Sequence, residues 1–471
     1  MGNGTKEPEK SRLESLLECL RHRNILILGF GREGKSSYAF LQRHLPGVRM
    51  AVADANSRLE KEAFPAVCKW HLGKDYLQAV SHYDLVLQSP GVCLKDLPEA
   101  YHPRITSQTD LFLQAFGAQC IGITGTKGKS TTSTLLYHLL KKTGHDVLFG
   151  GNIGTPLFEL IPQISRQTTI VTELSCHQLE FSRHSPHIAL LLNLFEEHLD
   201  HYASYEAYQL AKYHIALHQQ ETDYFLFPKN NKLIDNLLKT FPIVSCQRPF
   251  STTQLPGYLL DKRFPLTGNH NKTNALAALS AAMIRFPKTS LQRWIQALYR
   301  FKGLPHRLEF VGNRQGILFY NDSISTIPQA TIAAVESLEK VDTLLLGGMD
   351  RGIDYTPLKK LFAHSGVRNF LFTGAAGQRM LSLVGETNEA NGESNETNGE
   401  DRKYFAFFDR FSDMVKAAVA RTRKGHICLL SPAAPSYDAF KNFEERGEVF
   451  KSMVLEGRRQ KTEDRRQKAE D

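Results

Sequence analysis

A chain of 471 residues is too long for a single hydrophobic core and reads as about three domains. With 41% hydrophobic and 23% charged residues it has the composition of a soluble globular protein, and no apolar run approaches the ~20 residues of a membrane-spanning helix, so membrane insertion is not expected. The net charge of +9 suits an anionic substrate, but no aromatic–basic stripe accompanies it, so nucleic-acid binding is not expected either.

Seven scattered cysteines (19, 68, 93, 120, 176, 246 and 428) show neither CxxC nor zinc spacing and read as reduced thiols of a cytoplasmic protein. The polar start, Met1 to Lys10, has no signal-peptide core. Residues 1–23 are taken as an N-terminal extension. Asn24 to Leu28 is a short apolar strand. Gly29-Phe-Gly-Arg-Glu-Gly34 follows, then a helical stretch, then a strand from Val48 that ends in Asp54. A GxGxxG turn with an acid twenty or so residues on marks a nucleotide or diphosphate at the strand ends and, in its commonest form, NAD. A third strand, Tyr83 to Gln88, runs into Ser89-Pro90-Gly91.

The strongest signal is Gly122-Ile-Thr-Gly-Thr-Lys-Gly-Lys-Ser-Thr-Thr132, between an apolar run and a helical one. Strand, Gly-rich turn and helix make a phosphate-binding loop, in which backbone N–H groups and a helix N-terminus face phosphate oxygens. Gly125, Thr126, Lys127, Gly128, Lys129, Ser130 and Thr131 would bind ATP. Lys129 would reach the β/γ-phosphates and the Ser130 hydroxyl would ligate Mg²⁺. The spacing departs from the standard pattern, since Gly122 and Gly128 lie one residue too far apart.

The strands Thr169–Leu174 and Ile188–Asn193 bring Glu173 and His198 to the same sheet edge, where a carboxylate and an imidazole can hold Mg²⁺ directly or through water. Ser204 to His218 reads as a helix, and on residue type alone its Lys212 is a solvated charge. Gly268 to Ala275 opens an alanine-rich helix, its polar residues reading as caps. After Arg307, four parallel strands, Gly316–Asn321, Asp342–Gly348, Asn369–Gly374 and His426–Ser431, alternate with helical segments in a doubly wound pattern. The acidic stretch from Gly385 to Asp401 and the repeated charged tail, 457–471, are low in complexity and are expected to be a disordered insert and a fraying end.

Taken together, the phosphate loop, Gly150-Gly-Asn-Ile-Gly154, Glu173-Leu-Ser-Cys-His-Gln-Leu-Glu180, Glu197-His-Leu-Asp-His-Tyr202, Ala211-Lys212, Gly268-Asn-His-Asn271, Gly303-Leu-Pro-His-Arg307, Asn321-Asp-Ser323, Leu430-Ser-Pro-Ala433 and Phe440-Lys-Asn-Phe-Glu-Glu-Arg-Gly447 resemble the Mur ligases. These are the ATP-dependent amino-acid-adding enzymes of peptidoglycan synthesis. The likeness runs from about Asn24 to Val454 and is nearest the branch that adds glutamate to UDP-N-acetylmuramoyl-L-alanine. It implies an α/β protein of three domains: a Rossmann-like UDP-sugar-binding domain (24–115), a central P-loop ATPase domain with a parallel sheet (116–303) and a C-terminal Rossmann-like amino-acid-binding domain (304–456).

The resemblance also implies roles. Gly29, Gly31, Asp54, Ser89, Pro90, Gly91 and Asn152 would hold the UDP-sugar rather than NAD. Asn271, Arg307 and Asp322 would hold the nucleotide. Lys129, Glu173, His198 and Lys212 would be catalytic, with Ser130, Glu173, His198 and a carbamylated Lys212 around Mg²⁺. Thr326, Arg351, Ser436 and Phe443 would receive the amino acid. A monomeric, cytoplasmic enzyme is implied, working through an acyl phosphate.

D-glutamate is the family default. Asp322-Ser-Ile-Ser-Thr326 replaces the usual Asp-Ser-Lys-Ala-Thr, so Ile324 stands where a lysine could meet a carboxylate, and L-glutamate stays open as the alternative. Folylpolyglutamate synthase and NAD-dependent oxidoreductase are remoter readings.

Overall fold

The computed structural model describes residues 7–59, 61–95, 97–197, 201–266, 268–390 and 403–455. The chain divides into two compact units, residues 1–301 and 302–471. The first unit carries two parallel sheets, the second a single mixed one.

The first sheet joins β1 (Asn24–Leu28), β2 (Arg49–Asp54), β3 (Val67–Leu72), β4 (Leu85–Gln88) and β5 (Ile105–Ser107) in the order β3-β2-β1-β4-β5, all parallel. Its central strand is the apolar run that precedes the glycine turn, and Ile25 to Leu28 are fully buried. The order reverses at β1, which puts a crevice beyond its carboxyl end. The edge strands β3 and β5 were not expected. β3 reads Val-Cys-Lys-Trp-His-Leu and is largely uncovered, so it lacks the continuous apolar run that marks a central strand.

The N-terminal extension is also structured. A helix spans Glu7–Arg21, and Leu16 and Leu20 enter the same core as β1. Leu13, Leu16, Leu17 and Leu20 recur at helical spacing, a signal that the polar composition of the segment hides.

The second sheet has the order β11-β10-β9-β6-β8-β7, from β6 (Cys120–Thr124), β7 (Val147–Gly151), β8 (Thr169–Glu173), β9 (Ile188–Leu191), β10 (Tyr224–Pro228) and β11 (Cys246–Phe250). Every residue of β6, β8 and β9 is buried, as a parallel sheet covered on both faces requires. The helices Lys129–Lys142 and Asn269–Arg285 pack together over one face, the second through its small Ala275, Ala277, Ala278, Ala281 and Ala282.

The second unit holds β12 (Glu309–Arg314), β13 (Ile317–Asn321), β14 (Val341–Gly347), β15 (Asn369–Thr373), β16 (Tyr404–Phe408) and β17 (Ile427–Leu430) in the order β12-β13-β17-β14-β15-β16. The four expected strands are present. They are mutually parallel, as expected, and an unexpected edge strand, β12, pairs antiparallel with β13 across a tight connection at Gln315 and Gly316. The acidic insert also begins later than expected, because the helix that starts at Gly374 continues to Ala390. The rest of that insert and the tail lie outside the described residues, and no described helix is long and apolar enough to cross a membrane.

Candidate active site

The phosphate loop joins β6 to the Lys129–Lys142 helix. Its shape is set by contacts from β9's continuation and from the Tyr205–Leu217 helix. Asn193 brackets the loop, its Oδ1 accepting from Lys127 N at 2.8 Å and its Nδ2 donating to Lys127 O at 2.9 Å. Thr126 is an anchor: its hydroxyl lies 2.8 Å from Tyr208 OH and accepts from Phe195 N at 2.9 Å, and its own N–H donates to Asn193 O at 3.1 Å. Gly128 caps the helix with φ +86°, and a Cβ there would stand 2.5 Å from Asn274 Oδ1, so the position admits only glycine without strain. Lys127 is exposed and pairs with Glu197 at 2.6 Å, worth little in water.

Two lysines converge on this loop. Lys129 Nζ donates to Gly125 O at 2.8 Å and to Thr126 O at 3.1 Å. Lys212, one helix away, donates to the same Gly125 O at 3.1 Å, with its ammonium 4.8 Å from the centre of the Tyr208 ring. Lys212 is 1% exposed, which corrects its reading as a solvated helix charge. Burial pushes its pKa down to about 8, and the neighbouring Lys129 adds to that. Burial likewise lowers the Lys129 pKa, against an opposing pull from Glu173. Two cations held together without a directly bonded carboxylate make a site that favours an anion.

Glu173 ends β8, buried at 1% exposure. Its Oε1 accepts from Asn152 Nδ2 at 2.7 Å and its Oε2 from Ser133 Oγ at 3.4 Å, and its carbonyl accepts from Asn152 N at 2.8 Å. Ser130 O lies 3.3 Å from the same Oγ, so the one hydroxyl proton of Ser133 is shared between Glu173 and the loop's Ser130. His198 lies outside the described residues.

On the far side of Asn152 lies a cavity of about 390 Å³. Gly29, Gly31, Asp54, Ser89, Pro90, Gly91 and Asn152 all line it, so every residue expected to hold the UDP-sugar faces one space. Asp54 braces the glycine turn, its Oδ2 accepting from Phe30 N at 2.6 Å, and Ser89 donates to Gly29 O at 2.7 Å. Gly34 sits so close to Gly29 O that no Cβ would fit.

Glu33 and Gln178 were not singled out from the sequence. They join the glycine turn to the segment after Glu173, Gln178 Nε2 donating to Glu33 Oε1 at 2.6 Å. Glu33 occupies a variable position of GxGxxG, and Gln178 reads as a plain helix residue, so only the fold reveals them. Asn271 lies in the first turn of the Asn269–Arg285 helix.

In the second unit Thr326, Arg351, Ser436 and Phe443 all follow the carboxyl ends of the adjacent strands β13, β14 and β17. Arg351 is exposed, its guanidinium 5.4 Å from the centre of the Tyr437 ring. Asp322 is buried: Oδ1 accepts from Leu308 N at 3.1 Å and Oδ2 from Ser431 Oγ at 2.8 Å, and burial raises its pKa. Arg307 is exposed on the loop before it. Sequence reasoning missed the buried Arg446. It donates to Ser323 Oγ and to the carbonyls of Ser323, Gly347 and Ala434, clamping the three loops that carry Thr326, Arg351 and Ser436. Pro328 occupies the first position of the Pro328–Ser337 helix, where a missing N–H costs nothing.

The Mur ligase middle domain family matches residues 123–247, from β6 to β11. The chain is 32% identical to a UDP-N-acetylmuramoylalanine–D-glutamate ligase of Geotalea uraniireducens over 92% of this chain and 98% of that protein. It is 29% identical to one of Ruminiclostridium cellulolyticum over 94% and 99%. Among solved structures, MurF of Acinetobacter baumannii aligns with a TM-score of 0.55 at 16% identity, over 87% of this chain and 91% of that one. UDP-N-acetylmuramate-alanine ligase MurC of Thermotoga maritima aligns at 0.50 and 18%, over 94% and 100%, and both show the shared fold. With relatives alike over nearly their whole length and a phosphate loop on which two lysines converge, this chain belongs to the Mur ligase family and is an ATP-dependent acid–amino-acid ligase.

Proposed function

We propose that this protein joins D-glutamate to UDP-N-acetylmuramoyl-L-alanine at the expense of ATP, in peptidoglycan synthesis. The observation that carries the reading is the meeting of Lys129 and Lys212 on Gly125 O, with Glu173 linked on one side to the phosphate loop and on the other to the Asn152 cavity. A carboxylate is a poor electrophile, so its oxygen must first be phosphorylated. The γ-phosphoryl of ATP, cradled at residues 125–131, passes to the alanyl carboxylate of the UDP-sugar, giving ADP and an acyl phosphate. The amine of glutamate then attacks the acyl carbon and phosphate leaves. Lys129 neutralises the charge spread over the transferring group. The UDP-sugar lies in the cavity lined by Gly29, Asp54, Ser89 and Asn152, and the amino acid is received by Thr326, Arg351, Ser436 and Phe443. Arg307, Asn271 and Asp322 belong to the nucleotide side of the same reading.

Mg²⁺ takes hard oxygen ligands, and the Ser130 hydroxyl and the Glu173 carboxylate supply them beside the loop. An ammonium does not ligate a cation, so Lys212 fits only as a carbamate, which burial favours by leaving more of its amine neutral. His198 completes the proposed set. Bound Mg²⁺ would offset phosphate charge at these positions.

The names of the curated relatives favour D-glutamate over the L-isomer that Ile324 had left open. Their family also removes any need for a dehydrogenase reading of the glycine turn. The test is phosphate release from ATP with the UDP-sugar and an amino-acid panel. Release only with glutamate, and with the D-isomer, supports the assignment, and release with another amino acid or without the UDP-sugar refutes it.

A further inference from the structure

The cavity beside Asn152 contains a carboxyl group that the proposed reaction leaves unused. Glu33 lines it from the first turn of the Arg32–His44 helix, whose cap residue Gly31 offers no side chain to the free N–H groups of that turn. Such a helix end draws an anion, here on the reading given above the UDP-sugar's diphosphate. An ionised carboxylate at the same place would repel it. The surroundings of Glu33 do little to hold a negative charge. Its Oε1 accepts from Gln178 Nε2 at 2.6 Å, while its Oε2 is buried with no hydrogen-bond partner. Gln178 is oriented by its Oε1, which accepts from Ser175 N at 3.0 Å in a capping box, so that its Nε2 faces Glu33. Gln108, packed on the Glu33 carbonyl, is neutral.

The charged groups near Glu33 are few. Arg32 precedes it, but donates to Gly154 O. Lys35 lies further along the same helix and is exposed. Asp54 and Tyr76 line the cavity, and Glu173 is reached only through Asn152. We propose that Glu33 is a proton-bearing positioning residue of this site: an anion bound at the helix end fixes a proton on its buried, unpartnered carboxyl oxygen, which removes a repelling charge beside the ligand, and binding to the ionised form therefore takes up one proton from solvent. Burial supports this, raising the Glu33 pKa from 4.5 to about 7 against weaker pulls from Gln178 and Arg32.

The inference rests on the UDP-sugar reading of the cavity, and calorimetric titration with UDP-N-acetylmuramoyl-L-alanine separates the two. The ligand's diphosphate and carboxylate have no proton to exchange near neutrality, so any uptake belongs to the protein. Between about pH 6 and 8.5, repeated in buffers of different ionisation heat, Kd should rise by up to roughly 30-fold, with uptake approaching one proton per ligand at the alkaline end. Glu33→Gln keeps the size of a neutral side chain without a titrating proton, and its Kd should stay flat with no uptake. Wild-type binding that is independent of pH and free of uptake overturns the role of Glu33 and leaves the function standing. Undiminished uptake in Glu33→Gln also overturns it, by placing the proton elsewhere. No binding at any pH removes the UDP-sugar reading and this inference together. The wild-type titration decides the matter even if the variant fails to fold.

Discussion

Replacing Lys212 by methionine should stabilise the protein while abolishing its activity. The side chain is 1% exposed, and its ammonium has one hydrogen bond, to Gly125 O, and the Tyr208 ring. Burial lowers its pKa from 10.5 to about 8. The folded state therefore binds this proton less tightly than the unfolded state. The resulting penalty is fully present below about pH 8 and disappears as pH rises toward the unfolded value. At pH 7 a shift of that size corresponds to about 3 kcal/mol. Methionine of similar length removes the penalty and forfeits a hydrogen bond worth about 1 kcal/mol, so a net gain of about 2 kcal/mol is expected in bicarbonate-free buffer. At about 2.1 cal/mol/K of unfolding entropy per residue, a unit spanning residues 1–301 should melt roughly 3 °C higher. The assay is thermal unfolding at pH 7 and at pH 9.5, with and without bicarbonate, beside phosphate release. The gain should shrink at the higher pH, where the wild-type amine is neutral, and bicarbonate should stabilise the wild type alone. Unchanged activity, or a variant less stable than the wild type at pH 7, would refute the reasoning that the lysine is held there at a cost for the sake of ligation.

Lys129→Ala should lower kcat by about 10³-fold, since a preorganised charge at the phosphoryl group is lost, and equal rates would remove the loop from the reaction. Gly128→Ala places a Cβ in a left-handed position against Asn274, so nucleotide affinity, measured by titration with ADP, should fall and stability drop by about 2 kcal/mol. Arg446→Met leaves the carbonyls of Ser323, Gly347 and Ala434 without that donor, and should raise KM for glutamate more than KM for ATP, with partial recovery in Arg446→Lys. If Ile324 faces the amino acid, Ile324→Lys should change KM for D-glutamate, whereas identical kinetics would place residue 324 outside the pocket.

The family was legible in the chain because its motifs are local. The phosphate loop, Glu173 at a strand end and the glycine turn after β1 each depend on a few consecutive residues, and the central strands declare themselves as apolar runs. Edge strands β3 and β11 did not, because strands covered on one side carry no continuous apolar signal. Residue type alone left Lys212 in solvent and Glu33 an unremarked turn residue. Whether a charge is costly depends on what the fold stacks around it, and for Lys212 and Glu33 that is decided by Gly125 and by Gln178, contacts between residues 87 and 145 positions apart. Sequence alone thus determined which groups are available for phosphate chemistry. Only the tertiary structure decided which of them are buried, because desolvation is a property of surroundings assembled from distant parts of the chain.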